Sequence, residues 1–280
     1  MQNSLNTNSQ IPDGLEVKEQ SYLHLSAIIN PRPNKIIGSS INNYGTRLCL
    51  GPFALECFTT DIEPKLEPWK GLRLVVWNPI TKTEPQNGWW RNLFAKSGLQ
   101  EGFVKLTPNY LYYWSNHAKR HLKKWQNSNQ YILYISTIEE FEKAYVESKK
   151  LTASLRDNFL ASVRSHLAIH PQDVRIHLVK NLENNKNIAG LITIDYPDIN
   201  QSVHTVSFIC SEAQKTSVGY GLINRWHQEI LERKINWLNF GFIWQENDPI
   251  SWQGYSKFKL QFNLQLIKFP RNYFKITLGN

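Results

Sequence analysis

The sequence predicts an α+β fold, a mixed β-sheet with helices on both faces, occupying its second half behind a smaller α/β region. Three observations predict it. From residue 131 the chain runs strand, two amphipathic helices, three closely spaced strands, helix, strand, short helix. The three central strands are joined by "LENN" and "DINQ", which are hairpin-length and rich in turn formers, so an antiparallel meander is expected. No internal repeat occurs, and no low-complexity tract follows the first twenty residues.

Residues 1–20 are rich in Asn, Gln and Ser and predict a disordered tail. Residues 21–130 form the smaller region. Its strand candidates are "TRLCLGPFAL" and "GLRLVVWN", punctuated by Pro31, Pro33, Gly51-Pro52 and Pro64. Residues 79–103 predict a long loop carrying Trp89 and Trp90, and loops of that length often cover a site or partner surface. The two indoles fit a lid, a partner surface or an inward staple. Residues 107–126 then predict one helix, with Thr107 as cap and Pro108 at its first position. Leu111, Trp114, Ala118, Leu122 and Trp125 recur at helical spacing. The other faces carry His117, Lys119, Arg120, His121, Lys123 and Lys124. Those cations suit a solvated helix end, where the dipole favours them, or a docking surface for phosphates.

Residues 131–280 are the main domain. "QYILYIS" is a strand, and "STIEEFEKAYVESKKL" a helix opening on a capping box of Ser136 with Glu139. "SLRDNFLASVRSHLAI" is a second helix, stopped by Pro171. The meander strands are 174–181, 186–197 and 202–212. "SVGYGLINRWHQEILERK" gives a helix with Leu222, Ile223, Trp226 and Ile230 on one face. The strand "INWLNFGFIW", the short helical stretch "SWQGYSKFKLQF" and a last hairpin, "LQLIKFP" with "YFKITLG", complete the order.

The net charge of +9 suits polyanionic partners such as nucleic acid, nucleotide pyrophosphates or an anionic membrane surface. Cys49, Cys57 and Cys210 form no Cys-x-x-Cys, and their odd number argues for buried thiols over a disulfide framework. The first residues have neither a basic n-region nor an apolar h-region, and no run of 18 apolar residues occurs, so a cytoplasmic protein is expected. His166 with His170 and His117 with His121 stand four apart without an intervening Glu or a third ligand, which predicts no metal site.

Three stretches carry possible chemistry. "QKTSVGYGL" opens a helix, where unpaired backbone N–H groups and the positive dipole end make an anion site; Lys215, Ser217, Gly219 and Gly221 would line it. Close helix packing accounts for the two glycines equally well. "WQENDPISW" follows the central strand and offers Glu246 and Asp248 as acid–base candidates, beside Glu212; its other reading is a turn built on Asp248 and Pro249. "SWQGYSKFKLQF" sets Trp252, Tyr255, Lys257 and Lys259 among further rings. The lysines would face a phosphate-bearing substrate, with Lys259 also placed to stabilise an oxyanion. Alternatively Phe258 and Phe262 are core and the lysines solvated.

The element order from residue 131, with Gly219 and Gly221 at the start of the helix after the meander, resembles the GNAT acyltransferase fold. Two positions depart from it. Thr216 stands where that family has Gln or Arg. Phe258 stands where many members carry a tyrosine that reprotonates the coenzyme A thiolate. The stretch "NFGFIWQENDPISWQGYSKFKLQFNLQLIKFP" resembles the C-terminal half of FemABX-type peptidyltransferases, whose tail sets a glycine and an aromatic before Phe-Lys and a further Phe. "CLGPFAL", 49–55, resembles the Gly-Pro turn of that family's first half. The family consists of aminoacyl-tRNA-dependent ligases built from two GNAT-like halves. The resemblance therefore implies transfer of an aminoacyl group from aminoacyl-tRNA to an amine of a peptidoglycan precursor or peptide, with tRNA and an anionic cell-wall precursor as partners. An acyl-CoA-dependent N-acetyltransferase is the alternative enzyme. A non-catalytic basic module, binding nucleic acid through residues 117–124 and the C-terminal lysines, is the alternative of another class.

Overall fold

The computed structural model describes residues 12, 15, 35–40, 43–60, 62–79, 83–86, 88–91, 100–148, 153–214, 216–246, 248, 250 and 253–279. Lys215, Trp252, most of the expected tail and residues 80–82, 87 and 92–99 of the expected loop lie outside the described residues. In chain order the strands are β1 (Lys35–Ser40), β2 (Asn43–Leu50), β3 (Phe53–Thr60), β4 (Gly71–Pro79), β5 (Trp90–Arg91), β6 (Gln100–Lys105) and β7 (Tyr131–Ile135). They continue with β8 (Val174–Asn181), β9 (Lys186–Tyr196), β10 (Gln201–Ile209), β11 (Trp237–Phe242), β12 (Gln265–Lys268) and β13 (Tyr273–Gly279). The helices are α1 (Tyr110–Tyr113), α2 (Asn116–Gln126), α3 (Ile138–Glu147), α4 (Ala153–Ile169), α5 (Val218–Glu232) and α6 (Gln253–Lys259).

The chain divides into two compact units. The first comprises Met1–Glu101, Phe242–Gln253 and Leu266–Asn280. Its sheet runs β1-β2-β3-β4-β13-β5 among the described residues. Gly51, at φ +60°, turns β2 into β3 in the left-handed region that glycine enters without a steric penalty. Trp77 is fully buried, with the rings of Trp89 and Tyr273 each 5.5 Å from its own. Trp89 is thus an inward staple, its indole N–H donating to Glu63 Oε1 at 2.7 Å, while Trp90 is exposed. The expected last hairpin does not form: β13 pairs with β4 residue for residue, from Tyr273↔Trp77 to Gly279↔Gly71. That register buries Tyr273 on Trp77, a gain that pairing with a four-residue β12 would not offer.

The second unit comprises Gly102–Gly241 and Gly254–Gln265. Among the described residues, its strands run in the order β6-β11-β10-β9-β8-β7. The expected meander is present, with β7, β8, β9 and β10 successively antiparallel, and β11 is parallel to β10. Because side chains alternate along a strand, the sheet buries both faces. Phe141, Tyr145 and Val163 of α3 and α4 pack on Ile176, Leu178, Ile192 and Phe208. Leu122, Leu222 and Trp226 of α2 and α5 pack with Leu191, Leu238, Phe240 and Phe262 in the other cluster. Among the described residues, no helix is long and apolar enough to cross a membrane.

Two helix starts differ from expectation. Residues 107–126 do not form one helix: Trp114 and Ser115 are extended, at ψ 150° and 152°. The break lets Trp114 bury itself edge-on to Phe262, at 4.7 Å, while the Ser115 hydroxyl accepts from the Ala118 N–H and starts α2. The cap of α3 is Thr137, one residue later than expected; its hydroxyl accepts from the Glu140 N–H, and Ser136 donates to Glu140 Oε2.

Gly190 shows how tightly the sheet is packed. A Cβ there would stand 2.6 Å from Phe208, 2.7 Å from Phe141 and 2.9 Å from Leu178. Gly190→Ala is expected to lower stability by about 1–3 kcal/mol through overpacking. Urea unfolding checks this: a lower midpoint at unchanged slope is the expected result, and an unchanged midpoint contradicts it.

Candidate functional site

β10 and β11 are paired over three residues, Gln201–Val203 with Trp237–Asn239. β10 then continues to Ile209, paired with β9. β11 departs at Asn239–Gly241, where Gly241 takes φ +68° and donates its N–H to Asn239 Oδ1 at 2.6 Å. Two parallel strands that part leave a wedge between their backbone edges, and buried backbone groups need partners. Helix α6 supplies bonds to both walls. The Lys259 ammonium donates to the Phe240 carbonyl of β11. The Tyr255 hydroxyl lies 2.8 Å from His204 Nε2 and 2.7 Å from Ser207 Oγ, both on β10.

A bulge makes that second contact possible. His204 and Ser207 are three apart and would face opposite ways in a regular strand. The register of β10 on β9 shifts between His204 and Val206, which inserts Thr205 and turns Ser207 onto the face of His204. Val206 and Phe208 return to the opposite core. Burial of its hydroxyl end, only partly opposed by the Ser207 hydrogen bond, pushes the Tyr255 phenol above the usual tyrosine range. It therefore holds its proton at neutral pH, while the residue stays 43% exposed. The Lys259 ammonium stands 4.5 Å from the centre of the Tyr255 ring, a cation–π contact.

The corner at the start of α5 is packed rather than open. Ser217 and Val218–Gly221 are buried. His121 of α2 lies with Nδ1 3.0 Å from the Ser217 hydroxyl and stacks on Tyr220. Burial, with His117, Arg120 and Lys124 nearby, lowers the His121 pKa, so it covers the corner as a neutral ring. A Cβ on Gly219 would stand 3.1 Å from Ile209 and 3.2 Å from Phe258, and one on Gly221 would stand 2.4 Å from Trp125. The open anion grip expected of Ser217, Gly219 and Gly221 is thus corrected. Among the described residues, neighbouring rings fill the space that side chains at both glycines would take.

Other candidates fall in separate places. Lys259 is also a correction: it is buried and bonded to backbone, not a solvated or substrate-facing lysine. Lys257 is exposed on α6. Asp248 closes a turn in the first unit, accepting from the Gln245 N–H at 2.6 Å, and Glu246 beside it is exposed. Glu212 is exposed in the turn after β10. On α2, Lys119 donates to the Tyr112 carbonyl and stands over its ring, Arg120 meets His117, and Lys123 and Lys124 are exposed in the last turn.

The sequence was silent on His204 and Ser207, because nothing in "SVHTVSFICSE" marks the bulge. It also concealed a polar layer beneath α5. There Ser202 donates to Asp195 Oδ1 at 2.6 Å and accepts from the Trp226 indole at 2.8 Å. Burial, partly offset by that Ser202 bond, pushes the Asp195 carboxyl up to about 6.

No protein-family model matches the sequence, and no curated protein matches it. Solved structures do. FemX superposes with a TM-score of 0.58 at 11% identity, over 86% of this chain and 87% of that one. L-PGS from Bacillus licheniformis gives 0.53 at 10% identity, over 86% and 83%. The C-terminal domain of a protein assigned as a lysylphosphatidylglycerol synthetase from Agrobacterium fabrum gives 0.51 at 10% identity, over 93% and 92%. The chain has the FemABX/GNAT-like fold that the order of its elements implied.

The Lys259 bond has a measurable consequence. Lys259→Met keeps the stem and removes the ammonium, leaving the Phe240 carbonyl without that donor. Stability is expected to fall by about 1–3 kcal/mol, the cost of an unmade buried hydrogen bond. A chemical-denaturation midpoint equal to the parent's would show that the ammonium does not hold the wedge.

Proposed function

We propose that the protein is an aminoacyltransferase that moves an aminoacyl group from aminoacyl-tRNA to an amine of a peptidoglycan precursor or peptide. The observation that carries this reading is the wedge between β10 and β11, which holds a part-exposed tyrosine whose buried hydroxyl is fixed by His204 and Ser207. The fold shared with FemX supports it, as does the resemblance of residues 131–280 to FemABX-type ligases.

The chemistry follows from what the transfer requires. An amine attacks the ester carbonyl, the carbon–oxygen bond to the terminal ribose breaks, and the leaving oxygen needs a proton. A protonated phenol beside the wedge is suited to give it, and His204 with Ser207 returns a proton taken from the attacking amine. The net proton moves from nitrogen to ribose oxygen. The packed corner at residues 217–221 favours a donor that is not gripped by a pyrophosphate there, and so favours aminoacyl-tRNA over acyl-CoA. The exposed Lys123 and Lys124 on α2 are suited to the tRNA backbone.

Tyr255→Phe is expected to lower single-turnover transfer from charged tRNA by about 10²–10⁴-fold, the usual weight of a general acid, and to lower stability by about 1–3 kcal/mol as His204 and Ser207 lose its hydroxyl. Transfer at the parental rate would remove Tyr255 from the chemistry. Peptidoglycan precursor and phosphatidylglycerol are compared as acceptors in that assay, since one structural neighbour carries a phospholipid in its name. A melting temperature raised by acetyl-CoA and not by charged tRNA would overturn the donor assignment.

Reversing both lysines, Lys123→Glu with Lys124→Glu, is expected to weaken tRNA binding. The dependence of log affinity on log salt should become shallower by roughly 0.7–0.9 per lost phosphate contact. An unchanged salt slope in filter binding would place the tRNA elsewhere.

A further inference from the structure

The short helix α1 exposes two neighbouring rings that packing does not use. Tyr110 is buried, its hydroxyl donating to Asn224 Oδ1 at 2.8 Å, and Trp114 is buried against Phe262. Between these anchors Tyr112 is 77% exposed and Tyr113 55% exposed. Their ring centres lie 5.3 Å apart with the planes at 88°. Large rings side by side in water mark a surface that meets a partner. Cations stand beside them. The Lys119 ammonium lies 5.6 Å from the centre of the Tyr112 ring and donates to the Tyr112 carbonyl at 2.7 Å, which leaves it two further donors. Arg120 follows it, and Lys123 and Lys124 stand one helical turn further along α2. Between Glu101 and Glu139 the chain carries no Asp or Glu. Lys119 and Arg120 bond a carbonyl and a histidine rather than a carboxylate, so their charge is not neutralised there.

Exposed rings beside a run of positive charge suit single-stranded nucleic acid, whose phosphates pair with the cations and whose unpaired bases stack on the rings. A duplex would use the cations alone, because its base faces are already stacked on one another. An anionic membrane asks for an apolar helix face to bury. Here α1 has four residues, and α2 buries its Ala118 and Leu122. The rings are also tied to the helix of the wedge. The Ser115 N–H donates to the Gln261 carbonyl at 2.9 Å, and Gln261 lies two residues beyond Lys259. We infer that the unpaired 3′ end of the donor tRNA stacks on Tyr112 and Tyr113, with its phosphates on Lys119 and Arg120. This rests on aminoacyl-tRNA being the donor, and it adds the place where the end that bears the ester is held.

Filter binding of uncharged tRNA tests it, beside the same tRNA trimmed of its unpaired 3′ nucleotides. Tyr112→Ala and Tyr113→Ala are each expected to weaken intact tRNA about five- to hundredfold, the weight of one stacked base. Tyr112→Phe keeps the ring and should bind as the parent does. Trimmed tRNA should bind the parent more weakly and should not distinguish it from the alanine variants. The salt slope should stay the same in those variants, since no phosphate contact is lost. Alanine variants that bind intact tRNA like the parent would overturn the stacking site, as would equal losses on intact and trimmed tRNA. Transfer from charged tRNA by the parent would survive either result, so the two failures are distinguishable. A parent that neither binds tRNA nor transfers from it would remove both. Loss of binding to phosphatidylglycerol vesicles in the alanine variants, at unchanged tRNA affinity, would assign the rings to a membrane surface and overturn the proposal.

Discussion

The parting of β10 from β11 is the constraint on which the rest of the second unit depends. A sheet that opens at one seam exposes backbone donors and acceptors that water cannot easily reach, and something must bond to them. Helix α6 does so on the β11 side, through Lys259 to the Phe240 carbonyl, and on the β10 side Tyr255 bonds two side chains. A charged donor suits the first task, because a charge-assisted bond is stronger than a neutral one. Its cation is balanced in part by the π-face of Tyr255. Lysine and tyrosine therefore stabilise each other's positions, and the wedge keeps a defined width instead of closing into a regular ladder.

The start of α5 illustrates the opposite use of a feature that invites an anion. A helix N-terminus with glycine can hold phosphate only if the turn faces an accessible space. Here the absent side chains of Gly219 and Gly221 are replaced by Phe258 and Trp125. Two aromatic rings give apolar contact that a hydrated pyrophosphate site would forfeit. His121 adds a neutral nitrogen at the Ser217 hydroxyl. The same residues thus serve helix packing in this chain, and the polar group at the wedge lies with Tyr255 instead.

Much of the second unit was legible because its signals are periodic. Alternation in residues 174–212 and helical spacing in 218–232 leave little choice of element, and two short turns force the meander. The parts that escaped depend on single residues or long-range contacts. The bulge at Thr205 costs one residue of register and leaves no compositional trace. The break at Trp114–Ser115 follows from burying one indole on Phe262, which lies far along the chain. The pairing of β13 with β4 joins residues about two hundred positions apart. The destination of Lys259 was obscured for a further reason. Lysine is almost never buried without a partner, and its partner is a carbonyl made available only by the parting of two strands.

The stretch "SWQGYSKFKLQF" can now be resolved into faces. Phe258 on α6 and Phe262 in the 3₁₀ turn that follows it, Leu260–Phe262, make one pair, and Tyr255 and Lys259, four apart on α6, make another. The first pair enters the core, with Phe258 5.1 Å from Tyr220 and Phe262 stacked on Phe240 at 5.6 Å. The second pair enters the wedge. Lys257 lies roughly 200° from Tyr255, at about 100° per residue, and is exposed. Phe258 cannot be replaced by a proton donor without placing a hydroxyl against Gly219 and Phe262. A tyrosine one helical turn earlier reaches β10 with its ring still accessible. The phenol is therefore present, displaced by three residues from the position the GNAT resemblance would assign it, because the turn nearer α5 has been given over to packing.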